Sequence, residues 1–296
     1  MTVMHFGHET EIPGLRNQDV GGASLPFIHY EGGPQHIIFV HATGFLPWLW
    51  HPVIGGFVPQ MSCWAPFFCD YRRSDPHEGG LSWDMLSRDL AAFCRTLEIV
   101  NPLLVGHSMG ATISALASAK HGLETCGMVL IEPIFLPESL YSGKVSLKEH
   151  PLASKAIRRT NHWRSENEAW AYLKSKPLFS GWDDEVLRLY LMYGFRKREK
   201  GGLMLACPPK TEASIFIGGL AVDPWPYLRE ITCPVMVVEG EKTENKGFVD
   251  IQKILSALPD SMYTQVADAG HLIPMQKPSQ VVKIIKEFFH KIKGRA

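Results

Sequence analysis

Short runs that are almost wholly apolar alternate along this chain with longer stretches of helical spacing, and that alternation limits the folds open to it. HIIFV (residues 36–40), PLLVG (102–106), GMVLIE (127–132) and PVMVVEG (234–240) carry no polar–apolar alternation, so both faces of each strand must be covered. CWAPFFCD (63–70) is a fifth such run, and YTQVA (263–267) is strand-like. Between them, residues 82–99 repeat apolar side chains at Met85, Leu86, Leu90, Phe93 and Leu97, with Ser82 placed to cap a helix. A small-residue helix follows residue 108 and stops at Gly122. The final helix puts Val281, Ile284, Ile285, Phe288, Phe289 and Ile292 on one face and its lysines on the solvated one. Apolar strands separated by helices predict a mainly parallel sheet with helices on both faces.

Residues 135–229 break this rhythm. They are helix-rich and strand-poor, with Trp163, Trp170, Trp182 and Trp225 and basic side chains at Arg158, Arg159 and Arg164. The segment lies between two sheet strands, so it reads as a helical cap inserted into a core made of residues 1–134 and 230–296. Its aromatics serve mainly as its own core.

Composition narrows the function classes. The chain has 296 residues, with 30 Lys plus Arg against 30 Asp plus Glu, so no net field draws it to nucleic acid or an anionic membrane. No window holds the roughly 20 apolar residues that span a bilayer. The first residues lack the basic and apolar regions of a signal peptide. Cys63, Cys69, Cys94, Cys126, Cys207 and Cys233 are scattered, without a CxxC pair, and read as reduced, small hydrophobes in a cytoplasmic protein. No phosphate-cradling glycine loop and no HExxH occurs, and the His5/His8 pair lacks further ligands nearby.

The chemistry centres on VGHSMG, residues 105–110. G-x-S-x-G is a short pattern, but here it follows a buried strand and opens a helix, where a nucleophile elbow sits. Gly106 and Gly110 leave room for a strained turn that lifts the Ser108 hydroxyl off the sheet. The turn also aims the Met109 N–H at the bound carbonyl oxygen. A serine hydroxyl needs a base. Among thirteen histidines, His271, in the loop DAGHLIPMQKP, is the candidate; His41, His51 and His107 adjoin strand ends where structural hydrogen bonds are expected. The loop HATGF after the strand of residues 36–40 offers the second oxyanion donor, with Thr43 N–H ahead of Gly44, and His41 ordering that loop.

Together the GHSMG elbow, the HATGF loop, the AGHLIP loop and the inserted helical segment resemble the α/β-hydrolase superfamily, from about Phe27 to Ile292. The resemblance implies an α/β fold with an eight-stranded, mostly parallel sheet, a helical cap, and a triad in the order Ser, acid, His. It implies hydrolysis through an acyl-enzyme, with neither a metal nor an organic cofactor. The acid departs from the commoner pattern. Many relatives carry Asp in a G-x-x-D turn, where this chain has Gly240, Glu241, Lys242 and Thr243. A minority arrangement places a Glu at the end of the strand after the elbow helix, which is Glu132 here, held extended by Pro133. Glu241 and Glu244 are the alternatives, and Asp268 is expected to shape the histidine turn. Ser108 in place of Asp counts against dehalogenase and epoxide-hydrolase chemistry.

The resulting expectation is a serine hydrolase of the carboxylesterase type acting on a small-molecule ester or acyl compound. A C–C bond hydrolase of diketones or an amidase would reuse the same triad. A ligand-binding or signalling protein of the same fold is the remaining possibility.

Overall fold

A computed structural model describes residues 11–141, 143 and 145–295. The His5/His8 pair lies outside them. Ten strands occur among the described residues: β1 (Arg16–Asp19), β2 (Ser24–Tyr30), β3 (His36–Val40), β4 (Ser62–Pro66), β5 (Leu103–His107), β6 (Gly127–Ile131), β7 (Phe195–Lys197), β8 (Leu203–Leu205), β9 (Val235–Gly240) and β10 (Ser261–Val266). Eight of them form one sheet in the order β1-β2-β4-β3-β5-β6-β9-β10. The β1–β2 and β2–β4 pairs are antiparallel and all the others parallel. The strands that carry GHSMG and VLIEP are therefore central, and their C-terminal ends open on the same edge.

Seven helices of at least seven residues are described: α1 (Trp83–Thr96), α2 (Met109–Ala119), α3 (Glu166–Lys174), α4 (Asp184–Tyr193), α5 (Pro209–Gly218), α6 (Ile251–Ala257) and α7 (Pro278–Lys293). Alternate residues of each central strand feed two cores. Ile37, Phe39, Val105, Val129 and Ile131 pack with Trp50, Val53, Ile285 and Phe288 on one face. Ile38, Val40, Leu104 and Leu130 pack with Leu86, Leu90, Phe93 and Ala111 on the other. Double-sided burial is what the unbroken apolar runs require. Each large aliphatic side chain so buried is worth about 1.5–3 kcal/mol of transfer free energy.

α2 owes its position to small side chains. Met109 through Ala117 are all buried, which only Gly, Ala, Ser and Thr at most positions permit so close to a sheet. α1 starts where its cap was expected, with Ser82 Oγ accepting from Asp84 N–H at 3.1 Å. Strand β4 is shorter than the apolar run suggested. It ends at Pro66, and Phe67 N–H turns instead to the Pro26 carbonyl at 2.8 Å.

Between β6 and β9 the chain contains α3, α4, α5 and the β7–β8 hairpin. This segment is tied to the rest of the chain at several places. Leu81 N–H donates to the Ser214 carbonyl, and Trp83 Nε1 donates to the Ile215 carbonyl at 2.9 Å. On another side Asp183 N–H donates to the Met275 carbonyl at 2.8 Å. The cysteines were all expected to be reduced, and that expectation fails for one pair. Cys69, just past β4, is bonded to Cys207, just before α5, with Cα atoms 5.7 Å apart. Sequence spacing could not find this bridge, because 138 positions separate the two cysteines. Cys63, Cys94, Cys126 and Cys233 are free, and burial pushes the Cys63 thiol up to about 12.

Candidate active site

Ser108 stands between β5 and α2 with φ of 55° and ψ of −118°. That is a conformation L-residues rarely hold, and the surroundings enforce it. A Cβ on Gly106 would meet the Gly110 carbonyl oxygen at 2.4 Å, and one on Gly110 would meet the Val40 oxygen at 2.1 Å. Both obstacles are backbone, so neither can yield. β3, β5 and the start of α2 thus approach more closely than any side chain allows.

β3 and β5 are neighbours in register, Val40 beside Gly106, so the loop after β3 lies alongside the elbow. Thr43 in that loop is buried, as is Met109 at the first turn of α2. Of the two backbone groups named as oxyanion donors, one belongs to the loop after β3 and the other to the first residue of α2, which follows the neighbouring strand β5. His41 fastens the first of these loops. Its Nδ1–H donates to the Ala42 carbonyl at 2.8 Å, and its Nε2 accepts from Phe68 N–H at 2.9 Å. Complete burial lowers it to about 4, so it is a neutral structural histidine.

His271 lies in the loop after β10. Its Nε2 is 3.0 Å from Ser108 Oγ, and its Nδ1 is 3.1 Å from Glu132 Oε2. Three residues from the ends of β5, β6 and β10 are thus in one hydrogen-bonded line. His107 steadies the base from behind, its Nε2–H donating to the His271 carbonyl at 2.8 Å. Burial holds His107 well below the usual imidazole range.

Glu132 is buried, its side chain 2% exposed. It does not take the extended backbone that a following proline favours, since its φ is 50°. Glu132 N–H donates to the Val238 carbonyl at 2.8 Å, the bond that closes the last pair of the β6–β9 ladder, Ile131 beside Val238, and the main chain kinks there. The kink turns the carboxylate toward the end of β9. There Gly240 N–H donates to Oε1 at 2.6 Å, and Thr243 Oγ1 donates to Oε2 at 2.6 Å. Asn245 Nδ2 donates to the same Oε2 at 3.1 Å. A buried carboxylate without such donors would be several kcal/mol costlier.

Glu241 and Glu244 are exposed. Glu241 accepts from the Asp268 backbone N–H at 2.9 Å, and Asp268 pairs with Lys242 at 2.6 Å. Asp268, with φ of 54°, shapes the turn before the histidine as expected. Thr243 occupies the place where relatives of the G-x-x-D type have their acid, and it donates to Glu132. From the sequence Thr243 was named only as the residue standing in the place of an acid, and Asn245 was not named at all.

Beside the HATGF loop lie an aromatic cluster and one charged pair. Phe45 of the HATGF loop meets Trp182 and Tyr190, with ring centroids 5.7 and 6.3 Å apart. Arg159 Nη1 is 2.5 Å from Glu212 Oε2, and its Nη2 donates to Tyr190 Oη at 3.2 Å. Glu212 rests against Gly44, where a Cβ would stand 2.6 Å from its Oε1. Among the described residues, no group of three or more His, Cys, Asp or Glu is placed to hold a metal ion. No described helix is long and apolar enough to cross a membrane.

Residues 37–284 match the alpha/beta hydrolase family. The chain is 24% identical over 275 residues to the 2-(acetamidomethylene)succinate hydrolase of Mesorhizobium japonicum, covering 92% of this chain and 94% of that protein. It is 25% identical over 232 residues to ethanol acetyltransferase 1 of Cyberlindnera jadinii, covering 72% and 67%. The crystal structure of E-2-(acetamidomethylene)succinate hydrolase is similar with a TM-score of 0.79 at 22% identity, over 95% of this chain and 100% of that one. A thioesterase domain from the curacin biosynthetic pathway gives 0.73 at 15% identity, over 93% and 99%. At these identities the likeness of structures is one of fold. With most of its length matched, the chain belongs to the alpha/beta hydrolase family.

Proposed function

We propose that this protein is a serine hydrolase that cleaves a carboxylic ester or a similar acyl compound through an acyl-enzyme. The observation that carries the reading is the continuous line from Ser108 Oγ through both nitrogens of His271 to Glu132. Ser108 attacks the carbonyl carbon while His271 Nε2 takes its proton. Glu132 then accepts from Nδ1–H and stabilises the imidazolium. The N–H groups of Met109 and Thr43 receive the developing oxyanion, each worth about 3 kcal/mol in comparable sites. His271 next protonates the leaving group, and water repeats the sequence on the acyl-enzyme. Residues 135–229 act as a cap over a core of residues 1–134 and 230–296, and Trp182, Tyr190 and Phe45 give the acyl group an apolar wall. The substrate is a small molecule.

An amide bond is the second reading. The relative that spans 92% of this chain is named for a substrate bearing an acetamido group, and the same three residues serve either leaving group.

The test is turnover of p-nitrophenyl esters from short to long acyl chains by wild type and Ser108→Ala. Turnover that falls at least about a thousandfold in the variant is expected. Equal rates in the two proteins would overturn the ester reading. A fluorophosphonate that labels wild type but not Ser108→Ala would then leave the amide, and absence of labelling would remove the nucleophile.

A further inference from the structure

Glu212 and Arg159 are a buried ion pair that the chemistry described above does not use. Glu212 is 7% exposed, and the Arg159 side chain 23%. Mutual attraction barely offsets the desolvation of such a pair, so stability alone is a weak reason for it. Its neighbour is the HATGF loop. Phe45 N–H donates to the Ala42 carbonyl at 3.1 Å, which closes a turn with Thr43 and Gly44 at its centre. Gly44 has φ of 76°, as the third residue of a type II turn must. The closing bond uses neither Thr43 N–H nor Gly44 N–H, which leaves the Thr43 donor for an oxyanion.

The turn is held from two sides. On the sheet side His41 donates to the Ala42 carbonyl. On the side of the inserted segment, a Cβ on Gly44 would stand 2.6, 2.8 and 3.1 Å from Oε1, Cδ and Cγ of Glu212. The Tyr190 ring meets Phe45, the next residue of the turn. Arg159 joins these two supports, with Nη1 on Glu212 Oε2 and Nη2 on Tyr190 Oη. α5, which carries Glu212, has no room to draw back. Cys207 is bonded to Cys69, and Thr211 Oγ1 donates to Asp70 Oδ1 at 3.2 Å. At the far end of α5 a Cβ on Gly218 would stand 1.8 Å from the Leu81 carbonyl oxygen.

We propose that Glu212 is a positioning residue: fixed by Arg159 and by α5, it braces Gly44 and so keeps Thr43 N–H where the oxyanion forms. This rests on the serine-hydrolase reading above and on Thr43 as one of its oxyanion donors. Glu212 gives and takes no proton in the reaction. Its contact with Gly44 is one of van der Waals surfaces, and Arg159 balances its charge, so the brace depends on the volume of the side chain and on its bond to Arg159. A preorganised donor counts only where the developing charge appears, and a misplacement of about 1 Å can cost about 10²-fold in rate.

The first test needs no substrate. Amide hydrogen exchange at Phe45, whose N–H closes the turn, is expected to be at least about tenfold faster in Glu212→Ala than in wild type. Glu212→Gln keeps the volume and an acceptor for Arg159, and is expected to recover most of the protection. Equal exchange at Phe45 in wild type and Glu212→Ala overturns the proposal, as does a Glu212→Gln that exchanges as fast as Glu212→Ala. Exchange quickened evenly along the whole chain also overturns it, since the pair would then serve stability and not the turn. Arg159→Met/Glu212→Ala, which leaves no charge buried alone, serves should the single variant fail to fold. In ester turnover Glu212→Ala is expected to lower kcat by about 10- to 100-fold with KM little changed. The factor should be the same for every acyl chain, because the carbonyl oxygen is common to all of them. A factor that changes with the acyl chain would make Glu212 a substrate contact and overturn the bracing role. Failure of wild type to turn over any of the esters would sink the ester reading and leave the exchange result standing.

Discussion

The two halves of the candidate site are held in place by different means. On the β3–β5 side, Ser108 is fixed by main chain against main chain, with glycines at 106 and 110 because backbone atoms leave no space for a Cβ. On the β6–β9 side, Glu132 and His271 are fixed by side-chain hydrogen bonds among residues 132, 240, 243, 245 and 271. The first arrangement is steric and tolerates no adjustment. The second is electrostatic and can be altered one donor at a time, which makes it the half where activity can be graded without unfolding the protein.

The comparison is broken most directly at the proposed acid. Glu132→Gln keeps the shape and removes the charge that faces Nδ1. Its kcat is expected to fall by about 10³ to 10⁴, as when the acid of a triad becomes an amide. Glu244→Gln is expected to stay within about twofold, since Glu244 is exposed and binds none of the three residues. A full effect at Glu244 with a small one at Glu132 would move the acid to the loop after β9. Both are read as kcat and kcat/KM at neutral pH, with thermal unfolding as the check on folding.

A smaller effect sharpens the same half. Thr243→Val replaces a hydroxyl 2.6 Å from Glu132 Oε2 with a methyl group of the same size. Hydrogen bonds to a charged group are worth about 1.5–3 kcal/mol, so a loss of roughly 30-fold in kcat is expected with KM little changed. If kcat does not move while the protein loses stability, Thr243 supports the turn and not the carboxylate.

The two halves were also unequally legible in the sequence. The elbow is local. Strand, turn and helix lie within about fifteen residues, and each imposes its own residue types, so the short pattern together with its strand-to-helix context singled out Ser108. The strands of the sheet were legible for the same reason, because burial on both faces leaves no polar position. His271 was found as a lone histidine in a loop before the last helix, and Glu132 as an acid at a strand end. The bonds that complete the second half run across 111 positions from Thr243 and 113 from Asn245 to Glu132. Polar residues in a turn carry no periodicity, so nothing local marked them. The backbone of Glu132 was misjudged because the steric preference before proline is weaker than the hydrogen bonds from Gly240, Thr243 and Asn245 that the kink reaches. The Cys69–Cys207 bridge escaped for a related reason, since only the folded inserted segment brings α5 beside the loop after β4.

The steric half has its own titratable support, and there the expected effect is smallest. His41 is lowered from 6.5 to about 4 by burial. Its folded value lies below its unfolded one, so between about pH 6.5 and pH 4 the unfolded chain binds the extra proton. Stability is then fully present above the unfolded value and is lost as pH falls through that window. From about pH 7.5 to about pH 5.5 the loss assignable to His41 is about 1.3 kcal/mol. His29, His36, His107 and His150 are lowered as well and add to the total. The contribution of His41 is isolated as a difference of differences. Urea unfolding of wild type and His41→Gln at the two pH values removes any constant cost of the substitution, including the altered bonds to Ala42 and Phe68. The variant is expected to lose about 1.3 kcal/mol less than wild type on acidification. Equal losses would mean that His41 titrates alike in both states, and that the loop carrying Thr43 is open enough for water to reach the ring.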